Sequence, residues 1–278
     1  MDKLKIYLRN LSLIGVCFLF SSVAAFADET KPNISKHRFE IGLQTMHFDY
    51  GEESNVDWDG YMYGIAGSYN FLAQNKVMID VSLEYFYGDL DYDGRTWGGS
   101  PLKADTDDWI VGCRILGGYH FDVKSKHGFT PFAGIGYRYW NEMIHSTGGY
   151  EREIEYWYSP IGIKTISPLW NNWRWGISVE YDLFWGGSVK SHFSDVLTGY
   201  NDPKVDLNFG GGHGFRFSLQ FSRKFMKSYI LSIEPYIRYW DMDNSEIGTL
   251  TLNGVPVALV YEPENDTTAC GVFISVGF

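Results

Sequence analysis

The sequence has little cysteine, with three in 278 residues. Cys17 lies near the start, and the residue before it is Val16, where a lipoprotein signal requires a small side chain. Cys113 and Cys270 fall on apolar faces of segments far apart in order, so they read as small buried apolar groups and not as a disulfide. No Cys/His cluster has zinc spacing. Long apolar runs are also missing beyond the first thirty residues. Nothing there approaches the ~18 consecutive apolar residues of a membrane helix. Basic residues are scarce too, with 23 Lys+Arg against 34 Asp+Glu. Residues 1–27 hold three of the bases and one acid, so the rest carries 20 against 33. A chain this acidic does not bind nucleic-acid backbones, whose affinity comes from neutralised phosphates. No motif calls for a cofactor, and none is expected.

What the sequence does have begins with its leader. Lys3, Lys5 and Arg9 precede the apolar run from Leu11 to Phe20, and Ala25-Phe26-Ala27 fits a small-x-small cleavage site. Residues 1–27 read as a secretory signal peptide, leaving residues 28–278 as one domain. Aromatics make up 18% of the chain and there are 31 glycines. This mixture suits an all-β protein.

Ten segments alternate with period two, the mark of strands with two different surroundings. They cover about 38–50, 60–72, 76–88, 108–122, 129–143, 151–166, 173–185, 210–225, 229–241 and 267–278. In the third, Val77, Ile79, Val81, Leu83, Tyr85 and Tyr87 oppose Asp80, Ser82 and Glu84. The sixth is the least regular: Pro160 interrupts it and its faces stay unassigned. Pro131 and Pro235 lack a ladder donor and are expected at bulges. The links alternate between short ones and long polar ones. One face is too rich in Tyr and Trp to pack inside a ten-stranded soluble barrel. A membrane places that face outward, with rings at the interfaces and a polar lumen. The expected fold is an all-β, transmembrane, antiparallel up-and-down barrel of ten strands, with short periplasmic turns and long extracellular loops.

The last residues, "GVFISVGF" (271–278), resemble the C-terminal signal of outer-membrane barrels, with Phe278 as the terminal aromatic. More loosely, the chain resembles the small Gram-negative outer-membrane β-barrel proteins of the opacity and porin-like kind. That resemblance implies the cell outer membrane, contact with lipid and lipopolysaccharide, and recognition of the C-terminal strand by the barrel assembly machinery.

Parity sends Glu40, Asp80, Glu84, Glu180, Asp182 and Glu234 into the lumen, with Arg114, Arg138, Arg174, Arg216 and Arg238. Buried charges are tolerated when paired. The expectation is therefore a lumen sealed by ion pairs, in a non-enzymatic barrel serving surface recognition or envelope structure. A narrow channel for small solutes is the alternative. "DLDYDG" offers Asp89, Asp91 and Asp93 as metal candidates, but Ser100 stands where a calcium loop needs a glutamate. A third reading is enzymatic. The architecture is similar to that of omptins, outer-membrane proteases that use an Asp pair and an Asp–His pair. Asp57, Asp59 and His192 are the matching candidates. Lys190 occupies the position of that family's second aspartate, two residues before the His, which leaves His192 a poorer general base. The outer loops mix aromatic and polar residues, as surfaces that meet a ligand do.

Overall fold

The computed structural model describes residues 37–53, 56–96, 98–123, 127–225 and 228–278. The expected leader, residues 1–27, lies outside the described residues. Among those residues, ten long strands follow one another. They are β1 (His37–Glu52), β2 (Val56–Leu72), β3 (Val77–Arg95), β4 (Pro101–Tyr119, continued by Phe121–Val123), β5 (His127–His145), β6 (Glu151–Pro168), β7 (Trp173–Ser191), β8 (Gly212–Lys224), β9 (Ile230–Met242) and β10 (Asn265–Gly277). Each pairs antiparallel with the next. β10 also pairs back onto β1, from Glu40↔Gly277 to Glu52↔Asn265, so the sheet closes on itself. At the long-loop end, Lys204–Leu207 adds to the upper part of β7, and Gly248–Leu252 forms a hairpin with Val255–Val260.

The alternating apolar face points outward. Leu43, Tyr63 and Ile65 are 69%, 66% and 56% exposed, whereas Met62 and Phe86 on the other parity are fully buried. This reverses a soluble protein and matches a barrel set in lipid. Among the described residues Cys113 and Cys270 are free; contrary to expectation, Cys270 is exposed and Cys113 only half-buried.

Several strands run beyond their expected ends. β3 and β4 continue through residues 89–95 and 101–107, which the sequence reading assigned to a loop. On β3 the exposed Tyr87 gives way to outward-facing Asp89, Asp91 and Asp93, while Leu90 and Tyr92 turn inward and are buried. The outer surroundings change there from lipid to water. The polar and apolar faces exchange while the backbone continues unchanged.

The prolines also differ from expectation. Pro131 lies where the β4–β5 ladder skips Tyr119 and His120, and Pro235 lies where the β8–β9 ladder skips Leu219 and Gln220. Register is the same on both sides of each gap, so neither is a bulge. Pro160 sits inside β6, opposite Asp182. Among the described residues the barrel's register shift falls at Trp157/Tyr158, where Trp185 is the extra residue of β7. The next residue, Gly186, takes a φ of 152°, open to glycine and strained for other residues.

A lumen glycine elsewhere makes room for a ring. A Cβ on Gly136 would stand 2.3 Å from Cζ of Tyr158, its cross-strand neighbour. Gly136→Ala is expected to cost about 1–3 kcal/mol through overpacking. The check is the urea midpoint of the refolded variant, and an unchanged midpoint would refute this packing account.

Candidate functional site

The lumen is built in layers, beginning at the short-turn end. Arg38 pairs with Glu40 at 3.0 Å and donates to the Ser232 hydroxyl at 3.1 Å. Ser275 donates to Glu40. Lys164 reaches Asp80 at 3.2 Å, and Gln220 donates to Glu234 at 3.3 Å. Arg174 stands exposed at this mouth. Higher up, Arg238 binds Glu84 through two parallel hydrogen bonds of 2.7 Å each. Glu180 takes Arg114 at 2.6 Å and Arg216 at 3.6 Å, with buried Asp182 two residues along. Among the described residues Arg138 has no carboxylate partner within ion-pair distance; its guanidinium lies 5.9, 5.7 and 5.5 Å from the ring centres of Phe48, Trp140 and Tyr156. The cavity among Glu84, Arg138, Arg216 and Arg238 measures about 30 Å³, room for a water or two.

Above this charged belt the lumen is aromatic. Phe48, Tyr50, Trp58, Phe86, Trp140 and Phe184 are all buried there. Trp58 meets Tyr50 and Tyr92 edge-on, with ring centroids 4.9 Å apart in both pairs. A lumen polar throughout was expected; its upper part is instead a packed core. The reason is the face exchange seen on β3, because above the lipid the inward face is the one shielded from water.

On this core sits a pocket of about 350 Å³, lined by Trp58, Tyr92, Tyr150, Phe193, Arg152 and Glu262, with Glu52 among the other walls. Arg152 of β6 points inward beside three acids. Glu262 binds it directly, Glu52 lies at 3.7 Å and Glu142 at 3.8 Å. Its guanidinium also lies 5.3 Å from the Trp58 ring. Tyr50 donates to Glu262 at 3.0 Å. Glu142 is fully buried, and among the described residues neither of its oxygens has a hydrogen-bond partner. Asp108 pairs with it across the ladder and accepts a 2.6 Å hydrogen bond from Trp140. These groups lie above the outer aromatic ring, where Trp109 and Tyr139 end the lipid-facing runs of β4 and β5. Burial, aided by Asp108, Glu262 and Glu52 and opposed by Arg152, pushes the Glu142 carboxyl up to about 8. Burial raises Glu262 as well, against the pull of Arg152. None of this cluster was among the sequence candidates. The faces of the sixth segment were unassigned, so Arg152 had no place; in hindsight "EREIEYWY", with Arg152, Ile154 and Tyr156 in phase, carried the signal.

The enzymatic candidates do not meet. Asp57 and Asp59 point outward from β2, with His47 3.8 Å from Asp59. His192 follows β7, on the far side of the ten-strand ring, between Glu153 at 3.4 Å and Asp202 at 3.5 Å. Asp89, Asp91 and Asp93 are likewise spread along an extended strand, and Asp93 is paired with Lys103 at 2.7 Å. They belong to an outward acidic band in which Asp49, Asp59, Asp91 and Asp105 are successive cross-strand neighbours.

The chain was compared with known proteins. No curated protein matches it in sequence. Among solved structures, the outer membrane protease OmpT from Escherichia coli is similar at a TM-score of 0.60 and 10% identity, over 90% of this chain and 99% of that one. The outer membrane protein OprG from Pseudomonas aeruginosa matches at a TM-score of 0.38 and 10% identity, over 87% and 93% of the two chains. At such identity the OmpT likeness shows the fold alone. The autotransporter beta-domain family pattern matches residues 38–234. A closed barrel with its apolar face outward and this pattern across most of its strands belongs to the autotransporter beta-domain family, in the bacterial outer membrane.

Proposed function

We propose that this barrel is non-enzymatic and acts in surface recognition, with a sealed lumen and an outer pocket that receives a positively charged group. The observation that carries the reading is the charge imbalance among the pocket's lining residues, where Glu52 and Glu262 flank the single guanidinium of Arg152. Aromatic walls with surplus carboxylates suit an ammonium or guanidinium group, held by charge and by the ring faces. The aromatic core and the ion-paired belt beneath support a closed lumen over a narrow channel. The separation of Asp57 and Asp59 from His192 speaks against an omptin-like hydrolase. The outward acidic band suits divalent cations that bridge lipopolysaccharide phosphates.

The test is calorimetric titration of the refolded, detergent-solubilised protein with blocked arginine amide and blocked lysine amide. Saturable binding that Glu262→Gln weakens at least tenfold is expected, with no binding of blocked glutamate amide. No binding of either cation would overturn the pocket assignment. In planar bilayers the folded protein is expected to be electrically silent. Reproducible conductance steps that change in Glu84→Gln or Arg138→Gln would replace this reading with a channel.

A further inference from the structure

On the outer wall, away from that pocket, we infer a binding site for a divalent transition-metal ion of the zinc type, formed by Glu151, Glu153 and His192. One ligand atom from each of the three lies within 4.8 Å of the others. Zinc takes imidazole nitrogen and carboxylate oxygen together, and three protein ligands leave a position open for water.

The strand and the loop build this arrangement. Glu151 and Glu153 are two apart on β6, so both project to the outward face above the lipid. The chain after β7 is tied down beside them, since the His192 N–H donates to the Glu151 carbonyl at 2.9 Å. The short helical turn Phe193–Asp195 fixes it further, as the Glu151 N–H donates to the Asp195 carboxylate at 3.3 Å. The Tyr150 and Phe193 rings pack 4.5 Å apart on the inner side.

The imidazole is oriented as a ligand would be. Its Nδ1 faces Asp202 at 3.5 Å, and Asp202 is itself held by the Ser194 N–H at 2.9 Å. Its Nε2 points toward Glu153 and is buried without a hydrogen-bond partner among the described residues. A carboxylate behind one ring nitrogen, with the other nitrogen turned toward further ligands, is the outer-shell pattern of metal-bound histidine. Asn141 steadies Glu151 with a 2.7 Å hydrogen bond. Lys190, the cross-strand neighbour of Glu153, supplies an opposing charge that a bound cation has to overcome.

The test uses untagged, refolded protein and the metal alone. Titration with Zn²⁺ is expected to give one saturable site per barrel, with Mg²⁺ failing to compete. His192→Ala and Glu153→Gln are each expected to lower affinity at least tenfold. Asp202→Asn is expected to lower it about 10–100-fold by loosening the ring, and Lys190→Gln to raise it. Co²⁺ in place of Zn²⁺ is expected to show visible absorption that disappears in His192→Ala. Heat-modifiable gel mobility establishes that each variant is folded. Absence of saturable Zn²⁺ binding by the parent protein overturns the assignment. So does binding that is unchanged in both folded His192→Ala and folded Glu153→Gln.

Discussion

Arg238→Ala is expected to lower the unfolding free energy by about 3–5 kcal/mol, the cost of leaving one member of a buried ion pair without its partner. The exposure of the two side chains, 16% and 19%, is low enough for that value to apply without a large discount for solvent. Two parallel hydrogen bonds tie Arg238 on β9 to Glu84 on β3, across the lumen and not along a ladder. Removing the guanidinium leaves Glu84 facing Arg216 and Arg114 at longer range, inside a wall of aromatic rings. The double variant Glu84→Ala/Arg238→Ala is expected to recover a good part of the loss, because neither charge is then stranded. Equilibrium unfolding in urea, followed by tryptophan fluorescence, measures both. A single-variant loss below about 1 kcal/mol would mean that water reaches the pair freely, and the sealed lumen would fall with it.

The second large effect is a dependence on pH, centred on Glu142. Its carboxyl titrates near 8 in the folded protein, against an ordinary 4.5. Between those values the folded state holds a proton that the unfolded state has lost. The stability this supplies is complete below about pH 4.5 and is lost as the pH rises through 8. The slope is at most about 1.4 kcal/mol per pH unit. The groups facing Glu142 are Asp108, Glu52, Glu262 and Arg152, so Arg152 reduces the effect and the acids enlarge it. Glu142→Gln imitates the protonated acid. It is expected to match the parent protein near pH 5, to exceed it above pH 8, and to flatten the profile between. Parallel profiles for parent and variant would remove Glu142 as the source.

Much of this architecture was legible in the sequence because the lipid-facing part of each strand has one apolar side. Parity placed Glu40, Asp80, Glu84, Glu180, Asp182 and Glu234 in the lumen, with the five arginines. It gave a face but no partner, since partners such as Glu84 and Arg238 sit on strands far apart in the ring. Asp80 in fact takes Lys164, and Arg138 takes ring faces. The outer third was harder to read. The side facing water there becomes polar and the side facing the lumen apolar, so alternation continues with its phase reversed, and "DLDYDGR" passes for a loop. Arg152 and Tyr92, which line the pocket, lie in that zone, as does Glu142 buried behind them.

The seam between β1 and β10 has a consequence for how the molecule is made. Glu40 and Ser275, which meet there, are 235 positions apart in the chain. Contacts of such long range are slow to form. Until β10 arrives, nine strands stand as an open sheet with two raw edges, and each edge in lipid leaves a row of unmatched N–H and C=O groups. An interrupted chain is therefore more than a weaker barrel: it is a template for the edge of another copy. The final strand turns an aggregation hazard into a finished protein.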